Sequence, residues 1–162
     1  MKEDEFNRFN GLIQEMSRNL GIPDLQLDSE NHCELGTAPQ VIINLKYDED
    51  LDNVLCYASV GYFTDLDNRE QLLMTMMNAN YFRVETRGFS LGIDPATNRI
   101  VLSDVRPVEY YEDADVLAAV LENATQVILD WQDILAANRS SGAVSALGDD
   151  PSFGPPSDAI FV

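Results

Sequence analysis

Between Asp4 and Leu20 apolar residues fall at Phe6, Phe9, Ile13, Met16 and Leu20. Steps of three and four draw one stripe down an amphipathic helix, and the Gly21 and Pro23 that follow are helix-ending residues. The period then changes to two. After a turn at Asp28 to Asn31, a strand is predicted over roughly His32 to Leu35, and a second over Gln40 to Tyr47. In the second, Val41, Ile43, Leu45 and Tyr47 take one face while Asn44 and Lys46 take the other. An acidic turn, Asp48 to Asn53, leads into Val54 to Phe63, which is too rich in β-branched and aromatic residues for a surface helix. A second helix, capped by Asp67 or Asn68, runs from about Arg69 to Asn80 with Leu72, Leu73, Met76 and Met77 on its apolar side. Strands at Gly88 to Asp94 and Arg99 to Arg106 flank a tight turn at Asp94 to Asn98. A long stripe from Leu117 through Trp131 to Leu135 marks a third helix between Asp113 and Asn138.

The order α-β-β-β-α-β-β-α is an α+β layout, with helices packed around an antiparallel sheet. After Arg139 the composition turns to Ser, Gly, Ala, Pro and Asp. The chain therefore divides into a folded domain, residues 1–138, and a flexible acidic tail, residues 139–162, with a small apolar tip at Ala159 to Val162.

Charge changes the picture more than composition does. Ten Lys plus Arg stand against 28 Asp plus Glu, for a net charge of −18. That field repels phosphate backbones and anionic lipid surfaces, so neither nucleic acid nor membrane is an expected partner. The amino-terminal residues do not read as a secretory signal, and no apolar run is long enough to span a bilayer. A soluble, cytoplasmic protein is expected. Its two cysteines, Cys33 and Cys56, match no metal or redox spacing and are read as buried thiols.

The sequence carries little that resembles reactive chemistry. His32 is the single histidine, and a catalytic pair would require Cys56 to reach it across the sheet; a rim histidine is the plainer reading. The run Asp48 to Asn53 opens like a calcium loop, but Asn53 stands where Gly is needed and Ser59 where Glu is needed. There is no Gly-rich phosphate loop. No catalytic residue, cofactor or metal is predicted. What remains is surface: an aromatic first helix, and a second helix carrying Met74, Met76 and Met77, adaptable side chains used both in cores and at contacts.

Several pieces recur together in a known family. They are the first helix ending in Gly21-Ile22-Pro23, then Leu25-Gln26-Leu27-Asp28 and Cys33-Glu34-Leu35, and the strand Tyr57-Ala58-Ser59-Val60-Gly61. Leu72-Leu73 followed by Met77-Asn78-Ala79-Asn80-Tyr81-Phe82 is the most specific piece; Gly88 to Asp94, Ile100-Val101-Leu102 and a helix ending near Trp131 complete the set. In this order they resemble the class I type III secretion chaperones, the Tir chaperone (CesT) family, over most of residues 5–138. The tail after Arg139 is longer than the family core requires. The resemblance implies a homodimeric cytoplasmic chaperone without ATPase activity. Such a protein holds the amino-terminal segment of a secreted effector as an extended chain and helps deliver it to the secretion apparatus. It also implies a two-fold interface on the second helix and next strand, here Leu73, Met76, Met77, Phe82 and Phe89. Partner binding is expected on the first helix and adjoining sheet, at Phe9, Ile13, Leu20, Val41, Ile43 and Leu45, part of which must serve as core. Two other readings stand beside it: a regulator of the same fold that sequesters an activator or anti-activator, and a small α+β enzyme.

Overall fold

The computed structural model describes residues 2–22 and 24–139. Helix α1 spans Lys2–Leu20, and strands β1 (His32–Ala38), β2 (Val41–Asp48) and β3 (Asn53–Tyr62) follow. Helix α2 is Arg69–Phe82, strands β4 and β5 are Ser90–Ile93 and Arg99–Pro107, and helix α3 is Ala114–Ala137. The five strands form one antiparallel sheet in the order β1-β2-β3-β5-β4. The order and type of all eight elements agree with the periodicity.

Local chemistry explains the boundaries. Helix α1 ends where Gly21 takes φ +69°, letting the Ile22 N–H reach the Ser17 carbonyl at 2.9 Å and the Gly21 N–H the Arg18 carbonyl at 3.3 Å. Helix α3 starts at Asp113, whose carboxylate accepts from the Val116 N–H at 2.9 Å. Helix α2 runs two residues beyond the predicted end because Arg83 adopts the left-handed conformation and its N–H still bonds to the Ala79 carbonyl. Strand β4 is shorter than predicted at its start, since both backbone groups of Phe89 bond to Thr86 before pairing with β5 begins.

The core lies between one face of the sheet and the helices α1 and α3. Phe9, Ile13 and Met16 of α1 and Leu117, Ile128 and Trp131 of α3 meet Ile43, Leu45, Val54 and Cys56 there, all of them buried. Phe9 packs against Tyr47 and Tyr111, with ring centroids 6.4 and 5.5 Å apart. Helix α3 passes close to Gly61: a Cβ there would come within 2.8 Å of the tip of the Leu135 side chain, which would have to shift. Arg8 ties α1 to the turn before α3, donating to the Tyr111 carbonyl at 2.7 Å. On the second face of the sheet the alternation breaks down: Leu55 and Tyr57 of β3 are buried, and so is Asn44, which stands opposite Tyr57 with its side chain 2.8 Å from the His32 ring. The tail expected over residues 139–162 falls, apart from Arg139, outside the described residues; Arg139 itself makes an antiparallel bridge to Leu66.

Candidate partner-binding surfaces

A sheet presents unpaired backbone groups only along its two outer strands, here β1 and β4. In an antiparallel pair alternate residues turn both backbone groups toward the neighbour and the next turn both away. On β1 the Tyr47 N–H bonds to the Asn31 carbonyl at 2.9 Å, which directs Cys33 and Leu35 toward β2 and His32, Glu34 and Gly36 outward. His32 is already occupied. Its N–H donates to the Asp28 carboxylate at 3.0 Å, and its carbonyl accepts from the Asp28 N–H at 2.8 Å. That His32 N–H, with the Glu30 N–H and the His32 ring beside it, holds the Asp28 carboxyl below the usual carboxylate range. Among the described residues nothing bonds to the outward groups of Glu34 and Gly36.

Among the mostly polar side chains on this face of the open stretch, His32, Glu34, Asn44 and Lys46, one apolar seat is available. Ile42 stands directly opposite Gly36 on β2, and half of it is exposed. Gly36 has no side chain to cover it, so a strand laid along β1 could rest an apolar residue there. Past Gly36 the register shifts, and the pairing resumes at Ala38 with Val41. The stretch therefore offers two consecutive outward residues, closed at one end by Asp28 and bent at the other. At the opposite edge, Thr86 and Asn80 already hold the outward groups of Phe89 and Leu91.

The second surface is helix α2. Leu72, Met76 and Ala79 form the stripe that is buried against the rest of the protein. Beside it lies a second apolar stripe, Leu73, Met77 and Tyr81, joined by Met74, all exposed; Met77 is 65 % and Tyr81 79 % accessible. Phe82, 78 % accessible, sits edge-on to Tyr81 with ring centroids 4.6 Å apart, and exposed Val84 follows. A helix apolar over so much of its circumference belongs between two layers, and among the described residues it has one.

The expected site residues divide cleanly by burial. Of the partner-binding set, Phe9, Ile13, Val41, Ile43 and Leu45 are core, because the α1 stripe packs on the inner face of the sheet and leaves no groove between them. Leu20, the last residue of α1, is exposed. Of the interface set, Leu73, Met77 and Phe82 are exposed, whereas Met76 and Phe89 are buried in the core. Glu34, Gly36 and Ile42 carry no signal in the sequence that marks them as a site, and neither do Tyr81 and Val84. A strand's place at an edge follows from the order of the whole sheet, which no local pattern carries.

As for chemistry, Cys33 and Cys56 each stand opposite Leu45, on the inner face. His32, the residue next to Cys33, points to the other face, so the pleat separates His32 from Cys56. Among the described residues no group of three or more His, Cys, Asp or Glu is placed to hold a metal ion. The Asp48 to Asn53 run is a hairpin turn in which the Asp48 carboxylate accepts from the Asp50 and Leu51 N–H groups and Asp52 accepts from the Tyr47 hydroxyl. No described helix is long and apolar enough to cross a membrane.

The family model of the Tir chaperone protein (CesT) family matches residues 11–132, three quarters of the chain. The protein belongs to this family. Among solved structures, a chain of the ExsC–ExsE complex superposes with a TM-score of 0.69 at 22 % identity, covering 80 % of this chain and 95 % of that one. A chain of the HopA1–SchA chaperone–effector complex gives 0.60 at 16 % identity over 80 % and 93 %. The Yersinia pestis type III secretion chaperone SycH, solved with a stable fragment of YscM2, provides a match of 0.60 at 14 % identity over 78 % and 98 %. At these identities the likeness is one of fold, and it covers nearly the whole of each relative. No curated protein sequence matches. Within the CesT family, then, the described residues of this chain include a helix with an exposed apolar stripe and a sheet edge with two outward residues that no described residue bonds.

Proposed function

We infer that this CesT-family protein is a type III secretion chaperone acting in the cytoplasm as a homodimer, without enzymatic activity or cofactor. Its partner is the amino-terminal segment of a secreted effector, held as an extended chain and handed to the secretion apparatus. The observation that carries this reading is the open β1 edge at Glu34 and Gly36, with half-exposed Ile42 beside it. An extended segment adding there gains backbone hydrogen bonds and one apolar seat. The HopA1–SchA structure, a chaperone–effector complex of the same fold, supports the reading. Homodimerisation covers the second stripe of α2 around Leu73, Met77 and Phe82, and residues 1–138 form the folded unit. A net charge of −18 favours basic or neutral polypeptides as partners.

Affinity capture from the native bacterium, with secretion blocked, tests the reading. The wild-type chain should retain a secreted protein through its amino-terminal segment, and Gly36→Pro should lose it. Proline removes an outward donor yet is tolerated on an edge strand. Removal of the chaperone gene should then lower export of that same protein. A captured transcriptional activator or anti-activator would instead make this a regulator of the same fold. Retention undiminished by Gly36→Pro would reject the β1 edge.

A further inference from the structure

The β4 edge is shut by side chains that imitate a neighbouring strand. The pairing with β5 turns Phe89 and Leu91 outward. Leu91 donates its N–H to Asn80 Oδ1 at 2.8 Å and accepts from Asn80 Nδ2 at 2.8 Å, so one carboxamide meets both groups, donor to acceptor. An added strand would offer the same pair of atoms in the same place. Phe89 is closed in a similar way: its N–H bonds to the Thr86 carbonyl at 3.0 Å and its carbonyl accepts from Thr86 Oγ1 at 2.6 Å, with Thr86 wholly buried. Beyond Leu91 only Ile93 turns outward before the tight turn at Asp94, where the strand ends.

Nothing in helix formation calls for an asparagine at position 80, a residue of modest helix propensity. Its amide is spent on the sheet. We propose that Asn80, with Thr86 behind it, is a specificity-determining residue that keeps the β4 edge closed to strand addition, leaving β1 as the one edge of each protomer that takes an extended polypeptide. This rests on the reading above only for the claim that β1 accepts the partner. Closure of β4 also protects the protein from its own copies, because two open edges on one sheet would let molecules join in chains.

Hydrogen exchange on the whole chain, with no partner added, tests the guard. In the wild-type protein the Leu91 amide should exchange at least about tenfold more slowly than the Glu34 amide, because only the former has a partner on the open side. In Asn80→Ala the Leu91 amide should speed up by about tenfold or more. Light scattering should also show its mass climbing with concentration above that of wild type, as freed β4 edges pair between copies. Adding Gly92→Lys to Asn80→Ala should return the mass toward wild type. A Cβ at Gly92 meets nothing within 4 Å, and a charge on an edge strand discourages pairing. A wild-type Leu91 amide as fast as that of Glu34 would overturn the proposal, and so would Asn80→Ala with unchanged exchange or unchanged mass. If Asn80→Ala does not fold, the comparison of Leu91 with Glu34 in the wild-type protein still decides. A partner that fails to protect Glu34 would count against the β1 reading and leave the Asn80 result standing.

Discussion

Cys33 and Cys56 lie in one row across the sheet, separated by Leu45, so their strands are about 10 Å apart and the two cannot form a disulfide. Burial pushes the Cys33 thiol up to about 11, helped by the Asp28 and Glu34 carboxylates, and the Cys56 thiol up to about 12. Burial likewise raises the Tyr57 hydroxyl to about 12. Alkylation of native protein at neutral pH should therefore run about a hundredfold slower than that of an ordinary cysteine, and reach full rate only on unfolding. Thiol titration with and without denaturant checks this; rapid labelling of the native protein would contradict it. The same groups set the alkaline limit. Their folded pKa values exceed the unfolded ones, so their contribution is whole below about pH 9 and lost as pH rises toward 11 to 12. Melting temperature should fall steadily above pH 9. That these cysteines are inert could be read from the sequence, because alternation and spacing gave them no partner. That Asn44 is buried could not, since its alternation reads as solvated and its burial comes from neighbours across the strands, Tyr57 opposite it on β3 and the His32 ring on β1.

Helix α2 presents a buried stripe and an exposed one, and the exposed stripe is what the proposed dimer covers. Met77 lies well clear of the core, so Met77→Glu leaves the fold of the protomer intact and puts two carboxylates near a two-fold axis. Light scattering should show the wild-type protein at twice 18.1 kDa and Met77→Glu at 18.1 kDa, still soluble and folded. A dimer of unchanged mass would move the interface elsewhere. The elements themselves were legible because helix and strand leave different periods in the sequence, and Asp113 and Gly21 punctuate them. Less legible was which apolar residues serve the core and which the surface. Phe9, Ile13 and Ile43 carry the same signal whether a stripe faces its own sheet or a visitor, and α2 mixes both kinds at adjacent positions. The open edge was illegible for another reason. Strand β5 inserts between β3 and β4, and that choice makes β4 an edge with Asn80 as its cover.

Charge governs the behaviour of the molecule as a whole. With 28 acidic against ten basic residues, self-repulsion opposes compaction and ions should screen it. Melting temperature at neutral pH should rise between low and moderate salt; a flat or falling curve would mean that the acids are already neutralised by local contacts. The same field shapes recognition. A field of that sign opposes the approach of nucleic acid and favours a basic or neutral extended chain. The proposed two-fold contact on α2 and the proposed single usable edge per protomer would together suit a protein that holds part of another polypeptide unfolded. Hydrogen exchange of the full chain, alone and with the captured secreted protein, tests that claim most directly. New protection is expected at the Glu34 and Gly36 amides of β1, with the Phe89 and Leu91 amides of β4 already slow and unchanged. Protection that appeared on β4 or at the Asp48 to Asn53 turn, with Glu34 and Gly36 left as fast as before, would contradict it.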